Sequence, residues 1–204
     1  MTPATGILLA AGSSSRLGRD KQMLSVRGKT LLALVAEAMA GVVAPLLVVL
    51  PADRCGADSE LVAALAGLGV EVEIVPNPSP EKGLGHSVAL AAQRLLARHE
   101  RPQRLLLALV DQPLVTRRLF ERLLVGASGG WAACDYGEGA WGVPAVLPGS
   151  ELPALAALSG ERGARPLLEA RRAGAGLPLV AFPGGRLDVD TAADYARLLS
   201  LGEP

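Results

Sequence analysis

A glycine–serine run closed by two cations carries the clearest chemistry in this chain of 204 residues. Ala10-Ala11-Gly12-Ser13-Ser14-Ser15-Arg16-Leu17-Gly18-Arg19-Asp20-Lys21 follows an apolar run near the N-terminus. Backbone N–H groups of such a loop can cradle phosphates, and Ser13 adds a hydroxyl donor. Arg16 and Lys21 can neutralise a polyphosphate tail, Arg16 as a planar fork and Lys21 as a point charge. The spacing excludes two common loops. Gly18 is followed by Arg19 and Asp20 before Lys21, so this is not Gly-x-x-x-x-Gly-Lys-Ser/Thr. Ser14 stands where the dinucleotide fingerprint needs its second glycine.

Carboxylates supply the complementary half. Asp111-Gln112-Pro113 ends the apolar run 105–110, and Asp188-Val189-Asp190-Thr191 precedes the last helical segment. Two carboxylates from separated strand ends can hold one Mg²⁺ together with phosphate oxygens and water. Capping offers each of them an ordinary alternative: a turn or the next helix for Asp111, the last helix for Asp190. Asp111 and Asp190 are the expected metal ligands. Asp188 is expected to point away, on the reading that the pair alternates along an extended strand. A second glycine loop, Gly83-Leu84-Gly85-His86-Ser87, follows Asn77-Pro78. It suits an anion, or a base and ribose, at a helix N-terminus. Ser87 serves there either as a ligand contact or as an N-cap. His86 reads as solvent-facing.

These residues need elements to hold them. Continuous apolar runs at 5–10, 45–50, 70–75, 104–109, 143–147 and 177–181 read as strands. Helical patterns fall between them, at 30–40, 59–66, 87–98, 116–124, 164–172 and 192–199. Buried strands alternating with amphipathic helices predict an α/β fold, with a mainly parallel central sheet covered on both faces. Ligands in such sheets lie at the carboxyl ends of the strands, where the first loop and Asp111 fall. Thr191 is the expected N-cap of the last helix, with Asp194 three residues on. Residues 126–139 read as an irregular excursion.

Bulk properties narrow the class. Half the residues are apolar, 20% are charged and only 3% are aromatic, so the core must be Leu, Val and Ala. The length predicts one domain, 1–204. Twenty basic residues balance twenty acidic ones. With no basic block and no aromatic platform, nucleic acid is not the expected partner. The apolar runs are strand-sized, so no membrane partner is expected. Cys55 and Cys134 are isolated, which argues against structural zinc and for a reduced, cytoplasmic setting.

The motifs together resemble the molybdenum cofactor cytidylyltransferase family, within the molybdopterin nucleotidyltransferases. The matching residues are Leu9-Ala10-Ala11-Gly12, Arg16-x-Gly18-x-x-Lys21, Asn77-Pro78, Gly83-x-Gly85-x-Ser87, Asp111-Gln112-Pro113, Gly142-x-Pro144, Gly160-x-x-Gly163-Ala164-Arg165 and Asp188-x-Asp190-Thr191. The resemblance implies a Rossmann-like nucleotidyltransferase fold, dependence on Mg²⁺, and transfer of CMP from CTP to the phosphate of a molybdopterin-type cofactor. A molybdenum hydroxylase or its chaperone would be the protein partner.

Residue by residue, it casts Lys21, Arg16 and Asp111 as catalytic, and Asp111 and Asp190 as metal ligands. Leu9, Ala10, Ala11, Gly12, Ser13, Asn77, Gly83 and Ser87 are cast on the nucleotide side. Gly142, Pro144 and Arg165 are cast on the acceptor side, where Arg165 either meets the acceptor phosphate or pairs within its own helix. Ala11 points to CTP, because guanylyltransferase relatives resemble Leu-Ala-Gly-Gly at this place. Glu161 stands where the family often has Asp, and Ala192 where it has Pro. Competing readings are transfer of CMP or GMP to another phosphorylated acceptor, a nucleotide-binding assembly factor without turnover, and a nicotinamide-dependent oxidoreductase.

Overall fold

The computed structural model describes residues 4–12, 20–99, 101–127 and 129–201. In chain order the elements are β1 (Ala4–Leu9), β2 (Ser25–Val26), β3 (Lys29–Thr30), α1 (Leu31–Ala40), β4 (Val43–Pro51), α2 (Glu60–Ala63), β5 (Val72–Asn77), α3 (Leu84–Leu96) and β6 (Arg104–Leu109). Then follow α4 (Arg117–Gly126), β7 (Ala132–Gly137), β8 (Ala140–Pro148), α5 (Leu152–Ala156), α6 (Arg165–Gly174), β9 (Leu179–Ala181) and α7 (Ala192–Ser200).

Seven strands form one sheet in the order β5-β4-β1-β6-β8-β7-β9. Its pairings are parallel except at β8, which runs antiparallel to both β6 and β7. The expected α/β fold with a mainly parallel central sheet is therefore the observed one. After β1 the chain builds outward through β4 and β5, then returns to place β6 on the other side of β1. That reversal opens a crevice between the carboxyl ends of β1 and β6, the usual ligand position in an open α/β sheet.

Side-chain alternation along the strands divides the core into two layers. Leu8, Leu46, Val48 and Leu106 pack with Leu32, Val35 and Met39 of α1 and Phe120 and Leu123 of α4. Ile7, Leu9, Leu47, Leu105 and Leu107 face the other way, onto Val88 and Leu95 of α3, Leu152 and Leu155 of α5, and Leu168 of α6. Helix starts are capped as their sequences suggest. Thr30 and Thr116 accept from Ala33 N and Leu119 N, and Thr191 forms a reciprocal capping box with Asp194.

Two expectations are corrected. The stretch 126–139 is not a loose excursion, because it holds β7 and the turn into β8. The turn residues Gly137, Glu138 and Gly139 all take positive φ, so the glycines that suggested a loop serve a tight hairpin. Helix α3 begins at Leu84, three residues before the expected start, with Gly83 as N-cap. Ser87 is therefore inside the helix and is not its cap.

Candidate active site

Strand β1 delivers Ala10–Gly12 to the crevice, and the sheet ladder continues past its end. Ala10 N donates to Val49 O at 3.0 Å, and Val110 N donates to Leu9 O at 3.1 Å. Gln22, only 3% exposed, donates from Nε2 to Ala10 O at 2.6 Å and to Gly12 O at 3.4 Å. This staple fixes the start of the glycine–serine loop to the 3₁₀ turn Lys21–Met23 that follows it. Gln22 is not legible in the sequence as a functional residue, because an uncharged side chain beside the motif lysine gives no chemical signal of its own.

Lys21 is drawn inward by that turn. Its Nζ donates to Asp111 Oδ2 and to Asp190 Oδ1, both at 2.9 Å. The Lys21 side chain is 8% exposed, against 20% for Asp111 and 51% for Asp190. Burial alone would lower the lysine pKa. Asp111 and Asp190 outweigh that effect and hold it above its ordinary value, so Lys21 is charged. Val189 N donates to Asp111 O at 2.9 Å, which ties the C-terminal acidic segment to the end of β6. The Asp194 carboxylate of the capping box accepts from Thr191 N at 2.8 Å and fixes the same segment from its other side.

The facing of the acidic pair is corrected. Residues two apart in an extended chain share a face. Leu187 and Val189 are the buried partners, while Asp188 and Asp190 both lie on the open side. The Asp188 carboxyl is pushed up to about 6, first by loss of hydration and then by the negative Asp111 and Asp190. A hydrogen bond from Gln112 and the charge of Lys21 pull the other way.

A cleft of about 570 Å³ opens over Lys21, Asp111 and Asp190. Of the expected nucleotide-side residues, Leu9, Ala11, Gly12, Gly83 and Ser87 line it. Ala10 and Asn77 are fully buried and are not among its lining residues. Asn77 reaches the cleft through a neighbour: its Nδ2 donates to Ser87 Oγ at 2.9 Å, while Ser79 N donates to its Oδ1. Ser13 and Arg16 lie outside the described residues. The glycine pair of the second loop has a packing role. A Cβ on Gly83, whose φ is +87°, would meet Gly160 C at 2.6 Å, and one on Gly85 would meet Ser159 O at 2.6 Å. The two motifs Gly83-x-Gly85 and Gly160-x-x-Gly163 thus meet backbone to backbone. His86 is half-buried and its Nε2 is enclosed without a partner, so it is not the solvent-facing residue expected.

A smaller pocket of about 190 Å³ shares the wall formed by Leu9, Leu84 and Leu109. Gly142 and Arg165 line it, whereas Pro144 is buried in β8 and is not among its lining residues. Arg165 is already engaged. Its guanidinium lies 3.7 Å from the Trp141 ring centroid, and its Nε donates to Glu169 at 3.0 Å within α6. The pairing within the helix, one of its two expected roles, is thus formed.

The residues present fit a divalent cation. Asp111 and Asp190 already converge on a positive charge, the Lys21 ammonium. Asp111 Oδ1 is buried without a partner and retains full acceptor capacity. No group of three or more His, Cys, Asp or Glu side chains suited to a metal gathers among the described residues. A pair of carboxylates is instead the donor set of a cation that takes its remaining ligands from phosphates and water. No helix among the described residues is long and apolar enough to cross a membrane.

Comparison with known proteins agrees with this geometry. Residues 6–175 match the family described as MobA-like NTP transferase domain. Nicotine blue oxidoreductase of Paenarthrobacter nicotinovorans is 35% identical over 96% of each chain. Purine catabolism protein PucB of Bacillus subtilis (strain 168) is 28% identical over 93% of each. Among solved structures, Rv0371c from Mycobacterium tuberculosis H37Rv superposes with a TM-score of 0.72, at 32% identity and 98% coverage of both chains. Its complex with manganese superposes with a TM-score of 0.68, at 31% identity, covering 98% of this chain and 100% of that one.

Proposed function

The chain belongs to the MobA-like NTP transferase family, and we propose that it transfers CMP from CTP to the phosphate of a molybdopterin-type acceptor and releases pyrophosphate. The observation that carries this reading is Lys21 held between Asp111 and Asp190 at the mouth of the β1–β6 crevice. A terminal phosphate oxygen of the acceptor attacks the α-phosphorus, and the bond to the β,γ-pyrophosphate breaks. A phosphate monoester is mostly ionised near neutral pH, its second pKa being about 6. The nucleophile therefore needs no general base, and the protein's part is positioning and charge neutralisation.

In this reading Ala11 and Gly12 bring their backbone close to the triphosphate. Lys21, with Arg16 and Ser13 from the same motif, stabilises charge on the departing pyrophosphate. Asp111 and Asp190 would hold Mg²⁺, which supplies charge neutralisation at the phosphate oxygens when bound. The manganese complex of the mycobacterial relative supports a divalent ion of this kind. Gly142 and Arg165 belong to the acceptor side, with Pro144 shaping β8 behind it. A molybdenum hydroxylase, or a chaperone that delivers cofactor to one, would receive the product.

CTP is the expected nucleotide because the Ala11 methyl, 1% exposed, occupies wall space that glycine would leave to a purine. Pyrophosphate release from CTP and GTP, with purified molybdopterin cofactor and Mg²⁺, tests the reading. CTP should be preferred, and Ala11→Gly should narrow the gap by about 1–3 kcal/mol without inverting it. Preference for GTP would overturn the cytidylyl assignment, and no CTP-dependent release would overturn the transfer itself. The relative named as an oxidoreductase motivates a second reading, NAD(P)H-dependent reduction of a heterocycle. The absent dinucleotide fingerprint opposes it, and cofactor oxidation at 340 nm, the usual nicotinamide wavelength, would reveal it.

A further inference from the structure

We infer that the outer edge of strand β9 is a docking site for an extended, acidic segment of a partner protein, which adds to the sheet as a further strand. The inference goes beyond the transfer reading and does not need it.

Strand β9 ends the sheet, and among the described residues only β7 pairs with it. Ala133 N donates to Pro178 O at 3.0 Å, and Phe182 N donates to Asp135 O at 2.7 Å. Main-chain groups alternate sides along a strand, so Pro178, Val180 and Phe182 face β7 while Leu179 and Ala181 turn theirs outward. Arg122 holds one of these outward groups, its Nη1 donating to Ala181 O at 3.3 Å. A charged side chain laid on an edge protects it from indiscriminate pairing.

Helix α4 lies along the same edge and forms a groove of about 470 Å³ with it. Arg118, Glu121, Arg122 and Val125 follow the spacing of one helix face, and all four are exposed. Val125 is 85% exposed and Leu179 37%, so the groove offers apolar surface that the fold itself leaves uncovered. Its charge is one-sided. Glu121 is paired with Arg117 at 2.8 Å, which leaves Arg118 and Arg122 without a carboxylate partner among the described residues. Arginine grips carboxylates through a planar fork, so acidic side chains spaced along an added strand are its complement. An N–H of that strand takes over Ala181 O, and a carboxylate receives the guanidinium thus released. A second copy of this chain fits less well. A two-fold contact of the edge with itself brings Arg118 and Arg122 against their own copies, and the like charges oppose it.

The edge is separate from the cleft but connected to it. Strand β9 runs in the same direction as β6, three places away in the sheet, which is roughly 14 Å at ordinary strand spacing. A docked segment therefore leaves the large cleft open. From Ala181 the chain passes through the turn Pro183–Arg186 to Asp188 and Asp190, so a partner held here stands beside the acidic segment of the site.

The probe is a capped, fluorescein-labelled peptide of about six residues alternating glutamate and valine, long enough to cover the three residues of β9. Fluorescence anisotropy on the whole protein reads its binding at low salt, where exposed charges are least screened. Wild type should bind it about tenfold tighter than a peptide with lysine in place of glutamate. The same margin should separate it from a fully N-methylated peptide, which keeps the charge and cannot donate to the ladder. Arg118→Glu and Arg122→Glu together should lose the glutamate peptide and gain the lysine one, with unchanged circular dichroism and unchanged pyrophosphate release from CTP. No saturable binding by wild type, equal binding of the N-methylated peptide, or undiminished binding in the double variant would overturn the inference. So would a dimer seen by sedimentation of the protein alone and abolished by Val125→Asp, since a second copy would then cover the edge. The transfer reading fails separately. CTP turnover without peptide binding overturns this inference alone, and peptide binding without CTP turnover supports it while overturning the transfer.

Discussion

Lys21→Met is the most informative perturbation, because it keeps the buried stem and deletes only the charge. The ammonium makes two charge-assisted hydrogen bonds of 2.9 Å. Removing one partner of a buried ion pair costs roughly 3–5 kcal/mol, and of an exposed pair 0–1. The Lys21 side chain is 8% exposed but Asp190 is 51% exposed, so the loss falls between those limits, at about 2 kcal/mol. At roughly 2–4 °C per kcal/mol for a domain of this size, Tm should fall by about 4–8 °C.

The same residue blocks the proposed metal position, so a divalent ion must displace its ammonium from both carboxylates. Without Lys21 that competition vanishes. About 2 kcal/mol corresponds to roughly thirtyfold tighter Mn²⁺ binding in the absence of nucleotide. Mn²⁺ at a hundred times its Kd should then return about 2.7 kcal/mol of stability to the variant. Calorimetric titration of Mn²⁺ and thermal melts with and without it measure both effects, while CTP turnover falls steeply. A variant as stable as wild type, with no gain in Mn²⁺ affinity, would refute the view that Lys21 stands in the cation's place.

Other outcomes follow from the same geometry. Asp111→Asn and Asp190→Asn should each weaken Mn²⁺ binding in the Lys21→Met background, Asp111 more, because it is the less exposed; equal affinities across the set would remove both from the metal site. Gly85→Ala would drive a methyl into the backbone of Ser159, at a cost of about 1–3 kcal/mol, and should lower Tm and raise the KM for CTP together; a normal Tm would mean that the two glycine loops separate freely. Burial would raise the pKa of Glu73, but its hydrogen bonds from Arg94 and Arg98 hold it below the usual carboxylate value of 4.5. Its contribution to stability is therefore complete above about pH 4.5 and lost as the pH falls through the depressed folded value. Urea midpoints of wild type and Glu73→Gln should accordingly converge on acidification, and a gap that widens instead would reverse the sign.

The parts of the fold visible in the sequence were those with a strong periodic signal. Strand β6 is bounded as expected because 105–110 is apolar throughout and Asp111-Gln112-Pro113 stops it. Strand β7 escaped because Ala132, Ala133 and Cys134 have little β propensity and sit among glycines. Those same residues are fully buried between β8 and β9, so tertiary packing supplies what local preference lacks. Ser87 is a good cap by type, which predicts a start for α3 three residues later than the observed Leu84. Its hydroxyl instead partners Asn77 at the end of β5, a pairing that no spacing rule reveals.

The site divides along the same line. Lys21, Asp111 and Asp190 could be gathered from residue type and strand-end position alone, since a parallel sheet brings carboxyl ends together. A period of two does not separate Asp188 from Asp190: it puts residues i and i+2 on one face, and buried Leu187 and Val189 decide which. Once both acidic residues face outward, the doublets Asp111-Gln112 and Asp188-x-Asp190 become parallel rails. One residue of each serves the large cleft and the other the smaller pocket. Any ligand pair bound there is brought together by the hydrogen bond that joins the rails, Val189 N to Asp111 O at 2.9 Å. Lengthening the link between Asp188 and Asp190 by one residue should therefore uncouple the two pockets while leaving each partly formed. Its signature would be retained Mn²⁺ and molybdopterin binding with lost transfer. Loss of both binding activities together would instead mean that the rails fold only as a unit.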